Sequence, residues 1–315
     1  GWYVSGTEVR VTATADADCV FERWTGEGVD PQHATDNPYV FTSGEAPVSM
    51  TANFRRIRYV AVTGSDANDG KTPDAAYLTI SKAIAEAGAD EPTTVYVGPG
   101  TYTATNMTAS ADGAIYALTL NKPVRLIATA GPAETTVNAG TDTDRALCTM
   151  THAGAMVAGF ALKNGHHYGK NKPTGFEASA GVISNCWLKC RGEWSHDGWV
   201  YKGTSSAKAY DLVMLPHNLS VNEGGYPVYL SGNATLDGFV ATNTVISGKG
   251  GKAIVYLTGN AKARDLLIAD CTFGDKPVSS MNSLVLLNGA GVVLADSTIA
   301  HNTLTAPNGA LSIGN

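Results

Sequence analysis

A chain of 315 residues with a net charge of −6 lacks the basic face that nucleic-acid binding wants. No apolar run approaches the roughly 18 residues of a membrane helix, which argues against membrane insertion. Charged residues are only 16% and glycines number 35, a composition that fits a turn-dense all-β protein rather than a helical one.

The N-terminus shows no basic region followed by an apolar stretch, as expected of a mature, processed or excised form. Residues 7–14 (Thr7-Glu-Val-Arg-Val-Thr-Ala-Thr14) alternate with period 2, and Cys19-Val-Phe-Glu-Arg-Trp-Thr-Gly26 reads as a second strand running into a glycine turn. Val48-Ser-Met-Thr-Ala-Asn-Phe54 alternates again and closes a small β module over residues 1–57. Arg55-Arg-Ile-Arg58 is expected to be a linker with solvated charges.

Gly6 to Thr14, Phe21-Glu-Arg-Trp-Thr-Gly26, Asn37-Pro38 and Thr51-Ala-Asn-Phe54 resemble the bacterial cell-surface β-grasp-like repeats of the internalin B-repeat type. Such modules usually have one more strand before the position of Gly1. The resemblance implies a secreted or surface-attached protein with a spacer or adhesion role.

The next segment holds Tyr59-Val-Ala-Val-Thr-Gly-Ser-Asp-Ala-Asn-Asp-Gly70, Leu78-Thr-Ile-Ser-Lys-Ala-Ile84 and Val95-Tyr-Val-Gly-Pro-Gly-Thr-Tyr102. This three-part signature resembles the entry segment of secreted right-handed parallel β-helix proteins, the pectate-lyase-like solenoids. Ile80, Ala83, Ile84 and Ala87 fall on one helical face and Gly88 follows as a stop, predicting a short capping helix near 79–88. Laid over the first coil, such a helix covers strand edges that would otherwise stay open. Asp66, Asn68 and Asp69 have the composition of a calcium loop but not the EF-hand alternation, and an Asx-turn is the plainer assignment.

From 116 to 190 come Tyr116-Ala-Leu-Thr-Leu120, Val124-Arg-Leu-Ile-Ala128, Met156 to Leu162 and Gly181 to Leu188, separated by longer loops at 164–179 and 189–208. Past Pro227 one word returns: Val228-Tyr-Leu-Ser-Gly-Asn233, Val255-Tyr-Leu-Thr-Gly-Asn260, Val285-Leu-Leu-Asn-Gly-Ala290, Leu311-Ser-Ile-Gly-Asn315. Gly232 to Gly259 is 27 residues and Gly259 to Gly289 is 30. Short Val, Ile, Thr and Phe runs between Gly-Asn corners read as strands, and no helical spacing alternates with them. The fold class is all-β: residues 58–315 form a right-handed parallel β-helix in which each coil bonds to the next at about 4.8 Å. Leu230, Leu257 and Leu287 are predicted to form one internal ladder, with Asp270 stacked above Asp296 at a corner.

Five cysteines at 19, 148, 186, 190 and 271 cannot all pair internally. Cys186 and Cys190 on one extended strand would stand about 13 Å apart, too far for a bridge. Reduced, apolar interior thiols are the expectation.

The solenoid resemblance implies two chemistries. A lyase acting on uronate polymers needs a cation, usually Ca2+, on clustered carboxylates together with a Lys or Arg base. A hydrolase needs paired acids. Carboxylates are thin along the coil, so neither a catalytic residue nor a protein-bound metal is assigned. The conspicuous cluster is aromatic: Trp187, Trp194 and Trp199 fall within 13 residues, interleaved with Arg191, His196 and Asp197 and followed by Tyr201. These seven residues are the candidate carbohydrate-binding set, because pyranose faces are apolar and their rims polar. The alternative is that Trp187 faces the core while Trp194 and Trp199 pin a loop to the coil.

Together these features predict an extracellular bacterial surface, adhesion or fibre-forming protein that contacts polysaccharide and, through its open coil ends, forms a homo-oligomer or filament. The rival is a polysaccharide lyase or glycoside hydrolase using the 164–202 loops.

Overall fold

The computed structural model describes residues 1–103, 116–140, 145–165, 175–190, 199–216, 218–220, 226–247, 253–273, 283–304 and 311–314; for 218–220, 247, 273 and 311–314 only the backbone is described. The chain is all-β and coils as a right-handed parallel β-helix. Its long sheet begins with Cys19–Thr25 and Thr51–Val60, then takes Thr93–Val97, Val124–Ala128, Met156–Ala158, Val182–Cys190 and successive strands out to Val293–Ala295. A second sheet runs from Tyr116–Leu120 through Tyr201–Gly203, Val228–Leu230 and Val255–Thr258 to Leu311–Gly314. A short third sheet stacks Asn218–Ser220, Val245–Ser247, Thr272–Phe273 and Thr303–Leu304.

The repeated words stack as their spacing predicts. Leu230 pairs with Leu257, and Leu257 with Leu287, in parallel register. Leu230 and Leu257 are fully buried, and Leu287 packs against the same core. Single three-residue strands suffice because each coil takes hydrogen bonds and apolar contacts from the coils on either side. Phe176–Ala178 and Tyr201–Gly203 are two such strands, placed inside stretches that read as loops.

The corners obey a backbone rule. Three columns of residues sit in the left-handed region, which L-residues other than Gly, Asn and Asp rarely enter. One column is Ser205, Gly232, Gly259 and Gly289; a second is Asn185, Asp211, Gly238, Asp265 and Asp296; a third is Asn243, Asp270 and His301. Asp270 therefore does not stack above Asp296. The pairing of Ala269 with Ala300 sets His301 opposite Asp270, while Asp296 continues the Asp265 column. The matching words misled because the last coil spends extra residues between two corners.

Arg55 to Arg58 is not a solvated linker. It lies inside the unbroken strand Thr51–Val60, antiparallel to Cys19–Thr25 of the module and parallel to Thr93–Val97 of the coil. Arg55 and Arg58 are 6% and 7% exposed. Arg55 donates to Glu22 Oε1 at 2.7 Å, and Arg125 from a later coil reaches the same carboxylate at 3.1 Å. Arg58 pairs with Asp18 at 3.2 Å, and Arg56 with Glu91. Burial pushes the Asp18 and Glu22 carboxyls up, but Lys71 and Arg58 beside Asp18, and Arg55, Arg125 and Arg23 beside Glu22, outweigh it and hold both below their ordinary values. Charges on a strand joining two packed units face both of them, so pairing replaces solvation.

The capping helix spans Ile80–Glu86, with Ile80, Ala83 and Ala87 buried over the first coil and Ile84 packed against it. Thr79 Oγ1 accepts from Lys82 N–H at 3.0 Å as the N-cap. Asp66 in turn accepts from the backbone N–H groups of Leu78 and Thr79 and from the Thr79 hydroxyl, at 3.0, 2.9 and 2.8 Å. Asp69 closes an Asx-turn onto Lys71 N–H, and Asn68 donates to Ala76 O. At the other end Lys122 Nζ donates to the carbonyls of Ile84, Ala85 and Ala87, which the helix leaves open.

The five cysteines are free thiols, and Cys148, Cys186, Cys190 and Cys271 are buried. Burial raises the Cys186 thiol to about 12 and pushes Cys148 well above its ordinary value, so both are protonated apolar fillers.

Candidate functional site

In a strand bounded by buried residues, the one between them points outward. On the second sheet Val228 and Leu230 are buried and flank Tyr229, and Val255 and Leu257 do the same for Tyr256. The same column runs back through Lys202 to Glu177 and forward to Leu286, one residue per coil. Two coils farther back on this sheet stands Tyr116, paired with Ala146.

These side chains meet. Tyr226 and Tyr256 stack with ring centroids 4.5 Å apart, and Tyr229 lies 5.5 Å from Tyr256 and 6.2 Å from Tyr226. Asn288 Nδ2 donates to the Tyr256 hydroxyl at 2.9 Å, so that hydroxyl keeps its own proton for an outward bond. Burial, with Tyr256 and Tyr229 beside it, raises the Tyr226 phenol to about 12. At the other end of the stripe Lys202 Nζ sits 4.1 Å from the Trp199 ring centroid and 2.6 Å from Glu177 Oε1. The Tyr116 hydroxyl donates to Glu177 Oε2 at 2.8 Å. Burial and then the Glu177 carboxylate push the Tyr116 phenol up, so it stays protonated. Trp199 and Tyr226 occupy equivalent places in successive coils, since Tyr201 pairs with Val228.

Of the seven sequence-predicted site residues, the three described ones, Trp187, Trp199 and Tyr201, are not brought together. Trp187 lies half-buried on the long sheet between buried Cys186 and Leu188, neither in the core nor on the face that carries Trp199. Tyr201 is fully buried, its ring 6.2 Å from that of Phe176, and it cannot touch a glycan. Its inward direction follows from the strand: Lys202 takes the outward position, and Tyr201 and Gly203 alternate to the inside. At Gly203 a Cβ would come within 2.8 Å of Leu230 Cδ2 and 3.0 Å of the Tyr201 hydroxyl, so both side-chain ends would have to shift to admit one. Arg191, Trp194, His196 and Asp197 lie outside the described residues. Of the three described, Trp199 joins the stripe. Tyr226, Tyr229, Tyr256, Glu177 and Lys202 are residues of this candidate face that sequence reasoning did not single out, although Val-Tyr-Leu recurring at 228 and 255 holds the signal for two of them.

A hydrolase of the ordinary type needs two carboxyls roughly 5–9.5 Å apart. The described outward positions of this face supply one, Glu177. Among the described residues no three His, Cys, Asp or Glu side chains converge as a metal site would need.

The architecture of the first strands, with Trp24 buried and its indole N–H donating to Asp36 O at 2.9 Å, now meets its counterpart. Residues 1–58 match the family model of the divergent InlB B-repeat domain. That B-repeat shares its last strand with the coil. None of the curated proteins matches the chain. Among solved structures, pectin methylesterase PemA from Erwinia chrysanthemi is similar at 12% identity and a TM-score of 0.38, covering 74% of this chain and 89% of that one. A rhamnogalacturonan lyase is similar at 14% identity and a TM-score of 0.33, covering 81% and 86%. The catalytic domain of a GH87 alpha-1,3-glucanase, solved with nigerose, is similar at 13% identity and 0.34, covering 89% and 62%.

Proposed function

We propose that this chain belongs to a bacterial cell-surface adhesion protein, in which a B-repeat carries a rigid β-helix whose tyrosine-bearing face holds a polysaccharide. The observation that carries this reading is the cluster of Tyr226, Tyr229 and Tyr256 on an outward sheet face. A contiguous cluster of large rings on an outward sheet face is the kind of patch that marks a docking site. Tyrosine is suited to a sugar, with an apolar ring for the C–H face and a hydroxyl for the rim. Asn288 and the Glu177–Lys202 pair supply further hydrogen-bonding groups beside the rings. Surface attachment is supported by the B-repeat match, and the continuous strand Thr51–Val60 supports a stiff rather than a hinged presentation.

The test is retention of the purified protein on a panel of immobilised polysaccharides, comparing wild type with Tyr256→Ala. Binding by wild type that falls in the variant supports the reading; equal binding by both, or none by either, removes it. The same panel assayed for reducing ends and for unsaturated uronate absorbance, with and without calcium, separates holding from cleaving. End-to-end self-association is part of the proposal and is tested by sedimentation velocity at high concentration, where a single monomer boundary counts against it.

A further inference from the structure

The described outward positions of the central strands of this face carry two charged side chains, Glu177 and Lys202, and they are spent on each other. Lys202 Nζ is 2.6 Å from Glu177 Oε1, both side chains are about a quarter exposed, and Tyr116 fixes the second carboxylate oxygen at 2.8 Å. The neighbouring outward groups along the coils are Thr204, Ser231, Thr258 and Asn288 in one column and Tyr229, Tyr256 and Leu286 in the other, all neutral.

Resting on the polysaccharide reading, we propose that Glu177 sets the charge class of the ligand: by occupying Lys202 it makes the described part of this face electrically neutral and selects an uncharged polysaccharide over a uronate polymer. A sugar carboxylate arriving over Trp199 would have to take Lys202 away from Glu177, leaving one carboxylate without its cation. A neutral chain makes no such demand. It needs only ring faces and hydroxyl partners, which the tyrosines, threonines and Asn288 offer at successive coils. Glu177 acts through Lys202 and is a positioning residue.

Replacing Glu177 by Gln keeps the shape and leaves a partner for Tyr116, but frees the Lys202 ammonium beneath the incoming ligand. The experiment measures binding of wild type, Glu177→Gln and the Glu177→Gln/Lys202→Gln double variant to two neutral polymers (mixed-linkage β-glucan and mannan) and two acidic ones (polygalacturonate and alginate). Wild type should prefer a neutral polymer, Glu177→Gln should gain about tenfold for an acidic one, and the double variant should lose that gain. If wild type binds an acidic polymer better than every neutral one, the inference is overturned and the polysaccharide reading stands. If wild type binds neither class, both fall. Should Glu177→Gln fail to fold, the salt dependence of wild-type binding decides. A neutral ligand gives a flat response between low and high salt, and a steep loss with salt overturns the inference.

Discussion

Tyr226 and Tyr256 belong to neighbouring coils, yet their rings stack at 4.5 Å, closer than any other ring pair described in the molecule. The stack is made by register: Val228 over Val255 brings the two outward columns side by side. Removing one ring opens the platform without touching the core. Tyr256→Ala should lower polysaccharide affinity at least about tenfold, about 1.4 kcal/mol, and leave the melting temperature within a few degrees of wild type. Titration calorimetry with a binding polymer and a thermal melt check both halves.

The interior ladder behaves differently. Leu257 is fully buried between Leu230 and Leu287, so Leu257→Ala should cost about 2–5 kcal/mol of unfolding free energy. Tyr201→Phe is the contrast. Its hydroxyl is buried with no partner among the described residues, so deleting it should leave stability unchanged or raise it by up to about 1 kcal/mol. Urea unfolding of the two variants should move in opposite directions from wild type or leave Tyr201→Phe level with it.

At the corners, backbone conformation decides. Asp265 has φ of 53° and Gly259 has φ of 69°. Asp265→Val should destabilise by about 1–2 kcal/mol, whereas Asp265→Gly or Asp265→Asn should be near neutral. Chemical denaturation of the three variants tests this, and equal stability of Val and Asn would contradict the corner assignment.

The junction between module and coil should be acid-sensitive. The Asp18 and Glu22 carboxyls are held below their ordinary values of 3.8 and 4.5 in the folded chain. A depressed folded value means the stabilisation is fully present above the ordinary values and is lost as pH falls through the lowered ones. Docking of the module should therefore hold at pH 6 and weaken below about pH 4. Fluorescence of Trp24 on acid titration reports it, and Glu22→Gln should reduce the pH dependence while weakening the junction at neutral pH.

Much of the coil was legible because its determinants are local and repeated. Gly232, Gly259 and Gly289 mark corners, Leu230 and Leu257 mark the inside, and the spacing of Ile80, Ala83 and Ala87 marks the cap. What sequence could not place were relationships between coils of unequal length. Asp270 and Asp296 share a word but not a column, and Tyr201 was read with its tryptophan neighbours although strand alternation turns it inward. Arg55 and Arg58 look solvated until Glu22 and Asp18, more than 30 residues earlier, are folded against them. The proposed binding face was half visible in Val-Tyr-Leu at 228 and 255, but its polar end joins Tyr116, Glu177 and Lys202 from separate coils, which pairing alone assembles.

The most direct test of the account is a crystal structure of the chain soaked with a polysaccharide fragment that it binds. Sugar rings should lie along the coil axis against Tyr229 and Tyr256, within about 4 Å of the ring carbons, with a hydroxyl on the Tyr256–Asn288 pair. A well-ordered saccharide seated elsewhere, such as over Trp187 on the long sheet, with the three tyrosines bare, would contradict it.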